Sequence, residues 1–311
     1  MSGRFVIGTG RCGSTLLSRL LALHPDVLSI SEFFAWLDPD HRFSPDQFTG
    51  SELISLLSRS TERQRVMCRA SATECSPAVH PADVRDLAHS SPLLLSTLPM
   101  LSASPVSLMA EVIRQVERWP TGSLGSHYRD LFEWLCRRLD HVIWVERSAA
   151  SVVYVGQLER LFPDSRYIHL VRSGPSCARS MSCHPGFRHA LGETELYATP
   201  AQSDPTPYAR LWTAQVLVGL RQLRRLHSDQ VFTIWFEDLC SEPATTLSNV
   251  AAFFGVAADR DWLEHSLALV EPGRAEQRES TYRGDISLAL DRICYPAMRR
   301  LDRHIVPPAV R

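Results

Sequence analysis

The sequence predicts an α/β fold: a P-loop-containing, mostly parallel sheet with helices on both faces and a helical insertion. Three observations predict it. Short apolar runs of strand character alternate with helix-patterned segments, a glycine-rich octet follows the first run, and the alternation lapses over about 38–140 before resuming. A length of 311 residues suits a single domain carrying such an insertion, and 44% apolar with 22% charged residues is ordinary globular composition.

Phe5-Val6-Ile7 is the first strand and leads into Gly8-Thr9-Gly10-Arg11-Cys12-Gly13-Ser14-Thr15. The helix pattern from Leu16 to Leu23 stops at His24-Pro25, because proline disfavours helical geometry in the residue before it. Val27-Leu28-Ser29-Ile30 is a second buried strand closing a βαβ unit, and a right-handed crossover is expected to set it beside the first. Later strands are expected at Val142-Ile143-Trp144-Val145, at Tyr167-Ile168-His169-Leu170-Val171 and at Val231-Phe232-Thr233-Ile234-Trp235. Helices are expected between and after them, over about 149–161, 175–181, 207–226 and 243–254. From Phe33 to Asp140 the chain is rich in Ser, Pro and Leu, with helical patterns at about 51–58, 107–119 and 128–139. This excursion is either a substrate cap or an extra helical layer without contact to substrate.

The formal net charge of −1 gives no electrostatic case for nucleic acid or an anionic membrane as partner. All 33 basic residues are arginine. Schiff-base chemistry and a Walker lysine are thereby excluded, and an anion must be held by arginine, histidine or backbone amides. No secretory pattern opens the chain and no apolar stretch approaches membrane-span length, so a cytoplasmic location is expected. Eight cysteines without close CxxC pairs fit reduced thiols. Cys177, Cys183 and His184 lie close in sequence, but no second ligand pair completes a zinc site, and no metal is expected.

Gly8 to Thr15 has the frame G-x-x-x-x-G-S-T, a Walker-like loop with serine at the lysine position. Strand, glycine turn and helix together aim backbone N–H groups and a helix N-terminus at an anion. Without lysine, and without an Asp closing an apolar strand to hold magnesium, the loop lacks the apparatus of an NTPase. Ligands of open α/β sheets bind beyond the carboxyl ends of the strands. Those ends carry Arg11, Glu32, Glu146-Arg147-Ser148, Arg172-Ser173-Gly174-Pro175 and Phe236-Glu237-Asp238-Leu239.

These residues resemble the sulfotransferases dependent on 3′-phosphoadenylyl sulfate (PAPS), most of all bacterial members similar to tyrosylprotein sulfotransferase. The loop extended to Leu16-Leu17 is similar to the family's 5′-phosphosulfate loop, and Leu170-Val171-Arg172-Ser173-Gly174-Pro175-Ser176-Cys177-Ala178-Arg179-Ser180-Met181 to its 3′-phosphate motif. Phe236-Glu237-Asp238-Leu239 with Pro243 and Phe253-Phe254-Gly255-Val256 is a weaker third match.

The resemblance implies that Arg11, Cys12, Gly13, Ser14 and Thr15 cradle the 5′-phosphate, with Arg11 near the bridging oxygen, and that Arg172 and Ser180 hold the 3′-phosphate. Arg147 stands where the family often has lysine, so it either faces the sulfonate or forms a buried ion pair. His184 replaces a phosphate-binding arginine of related enzymes, and Phe236 a tyrosine. Arg283-Gly284, in a polar stretch with Arg274, Arg278 and Tyr282, resembles a late nucleotide contact; the alternative is a solvated loop.

The implied reaction moves a sulfonate from PAPS to an acceptor hydroxyl, leaving 3′-phosphoadenosine 5′-phosphate (PAP), with no metal. Glu32 matches the family's glutamate base; its alternative role is to cap the helix that follows. No histidine follows the strand at Val142 to Val145, where a rival base would stand. Competing functions are a P-loop kinase or NTPase and a noncatalytic nucleotide-binding protein. The acceptor is expected to be a small metabolite, lipid or carbohydrate. Leu93-Leu94-Leu95, Leu98, Met100-Leu101 and Leu108-Met109 are either its apolar lining or core.

Overall fold

The computed structural model describes residues 2–59, 91–94, 96–192, 204–270 and 285–301. Arg274, Arg278, Tyr282, Arg283, Gly284 and Leu95 lie outside the described residues. Five strands, β1 (Arg4–Ile7), β2 (Val27–Ser31), β5 (Ile143–Arg147), β6 (Arg166–Val171) and β7 (Val231–Trp235), form one sheet in the order β2-β5-β1-β6-β7. The remaining two, β3 (Gln47–Phe48) and β4 (Gly122–Ser123), make a short antiparallel ladder that no sequence pattern announces. In the sheet, β5 stands between β1 and β2, so the expected adjacency of the first two strands is corrected. The crossover rule sets handedness, not adjacency, and consecutive strands are neighbours only about two-thirds of the time.

The chain divides into two compact units. The first comprises Met1–Phe5, His24–Ser148 and Gly156–Ser165. In it β2 and β5 run parallel, with Ser31 in register opposite Arg147. Every residue of both strands is buried, as expected of parallel strands covered on both faces. A cluster of aromatic rings forms the core: Phe33 packs edge-on against Phe34, Tyr128 and Phe132, and Phe132 tilts against Trp144. Each such pair adds about 0.5–1.5 kcal/mol beyond its area burial. The insertion contributes α3 (Gly50–Ser58), α4 (Thr97–Leu101), α5 (Pro105–Val116) and α6 (Leu124–Arg138), all following the short α2 (Phe33–Trp36). Thr49 and Glu52 cap α3 reciprocally. Leu93, Leu94, Leu98, Leu108 and Met109 are buried, which places this apolar stripe in the core; only Met100 stands out at 42% exposure.

The second unit comprises Val6–Leu23, Ala149–Val155 and Arg166–Arg311. Here β6 and β7 are parallel, and α1 (Ser14–Ala22) is anchored by Trp262, whose indole N–H donates to the Leu20 carbonyl at 2.8 Å. The helix expected over 149–161 is broken at its start. Ala150 is left-handed at φ 56°, a 3₁₀ turn spans Ser151–Tyr154, and only then does α7 (Val155–Leu161) begin. The turn serves the glycine loop: the Gly8 N–H donates to Ser151 Oγ and the Val152 N–H to the Gly8 carbonyl. Among the described residues α8 (Gly174–Ser182), α9 (Pro185–Ala190) and α10 (Thr206–Leu223) lie between β6 and β7; α11 (Phe236–Ser241) and α12 (Pro243–Phe254) follow β7. Two more, α13 (Arg260–Leu269) and α14 (Asp285–Met298), come last. Among the described residues no helix is long and apolar enough to cross a membrane.

Candidate active site

The glycine loop of the second unit folds as its sequence demands. Gly13 is the N-cap of α1 at φ 94°, a backbone conformation costly for any residue with a Cβ, and a Cβ there would run into the Phe236 ring. Gly13 has no side chain to cap α1, which leaves this helix N-terminus suited to an anion. Arg11 is itself left-handed at φ 55°. Its carbonyl is held from two sides, by Arg172 Nη1 at 3.3 Å and by the Cys177 thiol at 3.7 Å.

The predicted phosphate ligands meet here. Arg11 donates from Nε to Ser180 Oγ at 3.1 Å, and the Arg172 guanidinium lies 4.7 Å from the centre of the Phe236 ring. Phe236 thus packs beneath both Gly13 and Arg172, the stacking role left to a phenylalanine in place of tyrosine. Arg172 is only 5% exposed, yet neither it nor Arg11 forms an ion pair among the described residues. A buried guanidinium without a counter-charge is costly unless an anion supplies one. This donor set fits a nucleotide carrying two phosphates.

Neighbouring loop residues divide by burial. Ser14 is buried at the start of α1 and Thr15 exposed. Cys12 is buried, its thiol pushed up by desolvation, so the side chain packs inward and only its backbone can face a ligand. Glu237 accepts the Ser173 N–H at 3.0 Å, fixing the entry to α8. His184 caps α9 by accepting the Gly186 N–H at 3.1 Å. Among the described residues no group of three or more His, Cys, Asp or Glu could hold a metal ion.

The first unit carries the candidate base. Glu32 follows β2, left-handed at φ 58°, at the N-cap of α2. Its side chain makes no cap bond; its carboxylate is ion-paired with Arg147, with side-chain exposures of 20% and 6% respectively. Arg147 also donates to Ser31 Oγ at 3.3 Å, across the register that sets these two residues opposite each other. Of the alternatives open in the sequence, Arg147 takes the buried ion pair and Glu32 does not take the cap. The cap bonds come from Ser148, whose Oγ accepts the N–H groups of Phe34 at 3.0 Å and Ala35 at 3.2 Å. Ser148 in turn donates to Glu146 Oε1. Glu146 is 1% exposed, and burial pushes its carboxyl up to about 8, against the Ser148 hydrogen bond and with the nearby Glu32 charge adding to the rise. Glu146 and Ser148 were visible at a strand end, but nothing in a single sequence assigned them a role, since the N–H groups that Ser148 accepts lie more than a hundred residues away.

A family model described as the sulfotransferase family matches residues 5–260. No curated protein sequence matches the chain. Among solved structures, the sulfotransferase domain of the olefin synthase from Synechococcus PCC 7002 is similar at 18% identity and TM-score 0.55, covering 94% of this chain and 93% of its own. A sulfotransferase domain from the curacin biosynthetic pathway matches at 18% and 0.55, covering 96% and 98%. A sulfotransferase from Alicyclobacillus acidocaldarius matches at 18% and 0.50, covering 97% and 94%. At these identities the structures show a shared fold.

Proposed function

Because this chain belongs to the sulfotransferase family and is an enzyme whose sulfonate donor is PAPS, we propose that it sulfates a hydroxyl group of a small metabolite, lipid or carbohydrate, with Glu32 as base. PAPS supplies an activated sulfonate whose leaving group is a phosphate. The loop amides of Cys12, Gly13, Ser14 and Thr15, with Arg11, hold the 5′-phosphate, and Arg11 meets the charge that builds on the departing oxygen. Arg172 and Ser180 hold the 3′-phosphate. Arg283 remains a candidate nucleotide contact. Glu32 accepts the acceptor's proton, Arg147 orients that carboxylate through its ion pair, and Arg147 is also assigned to the donor's sulfonate. We assign residues 1–311 to one sulfotransferase domain, in which the insertion at about 38–140 selects the acceptor.

The observation that carries the nucleotide assignment is that Arg172 donates to the Arg11 carbonyl and Arg11 to Ser180 Oγ, while neither guanidinium forms an ion pair among the described residues. PAP therefore binds more tightly than AMP, and Arg172→Ala loses that preference by roughly tenfold to a hundredfold, one charge-assisted contact of about 1.5–3 kcal/mol. Calorimetry with both nucleotides decides it; a variant that distinguishes them as well as the parent removes Arg172 from the site. For the base, radiolabelled PAPS is offered with a fractionated extract of small hydroxyl compounds and the sulfated product read by mass spectrometry. Glu32→Gln keeps size and hydrogen bonding, and its transfer rate falls by about 10²–10⁴ while PAP affinity holds. Near-normal transfer by Glu32→Gln overturns the assignment. The kinase alternative finds no support: the family match, and a loop without lysine, both stand against it.

A further inference from the structure

The carboxylate read above as the base occupies a position where a side chain ordinarily turns inward. At an N-cap, an acidic residue accepts the free N–H groups of the first helical turn. Glu32 sits there with its own N–H donated to the Arg147 carbonyl at 2.6 Å, in a left-handed conformation that a non-glycine residue keeps only when its surroundings enforce it. What enforces it is visible. The N–H groups of Phe34 and Ala35 both end on Ser148 Oγ. A hydroxyl has two acceptor lone pairs and one hydrogen. Both lone pairs are filled, so the hydrogen points to Glu146 Oε1.

We propose that Glu146 and Ser148 are positioning residues for catalysis: Glu146 fixes the rotor of Ser148, Ser148 caps α2 in place of Glu32, and the Glu32 carboxylate is thereby kept off the cap, in its ion pair with Arg147. The proposal rests on Glu32 being the base. Glu146 suits the task because its other oxygen, Oε2, is buried without a hydrogen-bond partner among the described residues, an arrangement tolerable for a neutral carboxyl and costly for an ionised one. A neutral Glu146 does not compete with Glu32 for the Arg147 charge. Ser148 and Glu146 touch neither sulfonate nor acceptor in this scheme; they act through Glu32 alone.

The test is a mutant cycle on the full chain, read as single-turnover transfer from saturating radiolabelled PAPS to the hydroxyl compounds of the extract, or to water. Ser148→Ala and Glu146→Leu slow transfer by about 10–100-fold, the cost of a misplaced catalytic group, while PAP affinity by calorimetry is unchanged. Ser148→Thr and Glu146→Gln, which keep the hydroxyl and the acceptor oxygen, restore most of the rate. Amide hydrogen exchange at Phe34 and Ala35 quickens in Ser148→Ala and not in Ser148→Thr. In a Glu32→Gln background, adding Ser148→Ala slows transfer by no more than about threefold, because the group it positions is already lost. Multiplying losses in that double variant, or a Ser148→Ala enzyme of normal rate beside a crippled Glu32→Gln, overturn the positioning role and leave the base. A Glu32→Gln enzyme of normal rate overturns the base and the positioning role with it. Should Ser148→Ala not fold, Ser148→Cys, a weak donor and poorer acceptor, takes its place in the cycle and is held to the same outcomes.

Discussion

Glu146 links the site to stability. Burial is the main cause of its raised carboxyl, the Ser148 hydrogen bond and Arg147 oppose it, and Glu32 adds to it. The folded chain therefore keeps a proton that the unfolded chain releases, between the ordinary value of 4.5 and about 8. The stabilisation from this group is full below about 4.5 and is lost as pH rises towards 8. Thermal melts across that window should show a falling midpoint, and Glu146→Gln should flatten the slope it contributes; an unchanged slope would place the proton elsewhere. The same residue marks what a lone sequence conceals. Glycine spacing and strand ends pointed to Arg11 and Arg172 as candidate anion ligands, and the family resemblance added Ser180. The service of Ser148 to Phe34 was not legible, since no local pattern reports a cap acceptor 114 residues away.

At the scale of elements, apolar runs of strand character located every strand of the main sheet; β2 and β5 are buried throughout, whereas in β7 only Ile234 and Trp235 are buried. Strand order was not legible, as nothing in the periodicity of β2 reveals that β5 comes between it and β1. Nor was the left-handed turn at Ala150, whose helical composition yields to the hydrogen bonds between Ser151, Val152 and Gly8. That 3₁₀ turn is clamped on its other side by α10, where Gly219 lets the helix backbone close on Val152. A Cβ at Gly219 would collide with the Val152 side chain, a β-branched group with little rotamer freedom. Gly219→Ala should destabilise by about 1–3 kcal/mol, the usual cost of overpacking. Adding Val152→Ala should recover part of that loss relative to the sum of the two single changes, which denaturant melts can measure; strictly additive losses would mean that the two residues do not meet.

Over the whole molecule, the absence of lysine was the most informative compositional fact. It directed attention to guanidinium groups as the only strong cations, and the described structure sets Arg172 on the Arg11 carbonyl and the Arg11 side chain on Ser180 Oγ. Acceptor choice stayed illegible, because leucines that could have lined a pocket are core, and core and pocket share one vocabulary of side chains. The proposed phosphate loop has a kinetic consequence. Its shape is enforced by the chain's own atoms: Arg172 and Cys177 on the Arg11 carbonyl, Phe236 under Gly13, Phe187 behind Gly10. A rigid mould of that kind loses little entropy when it takes up a nucleotide. It makes no distinction, however, between a fresh donor and a spent one, since both phosphates outlast the transfer. The preorganisation that speeds capture thus prolongs the stay of the by-product, and tight product inhibition is the natural cost of a loop so well held.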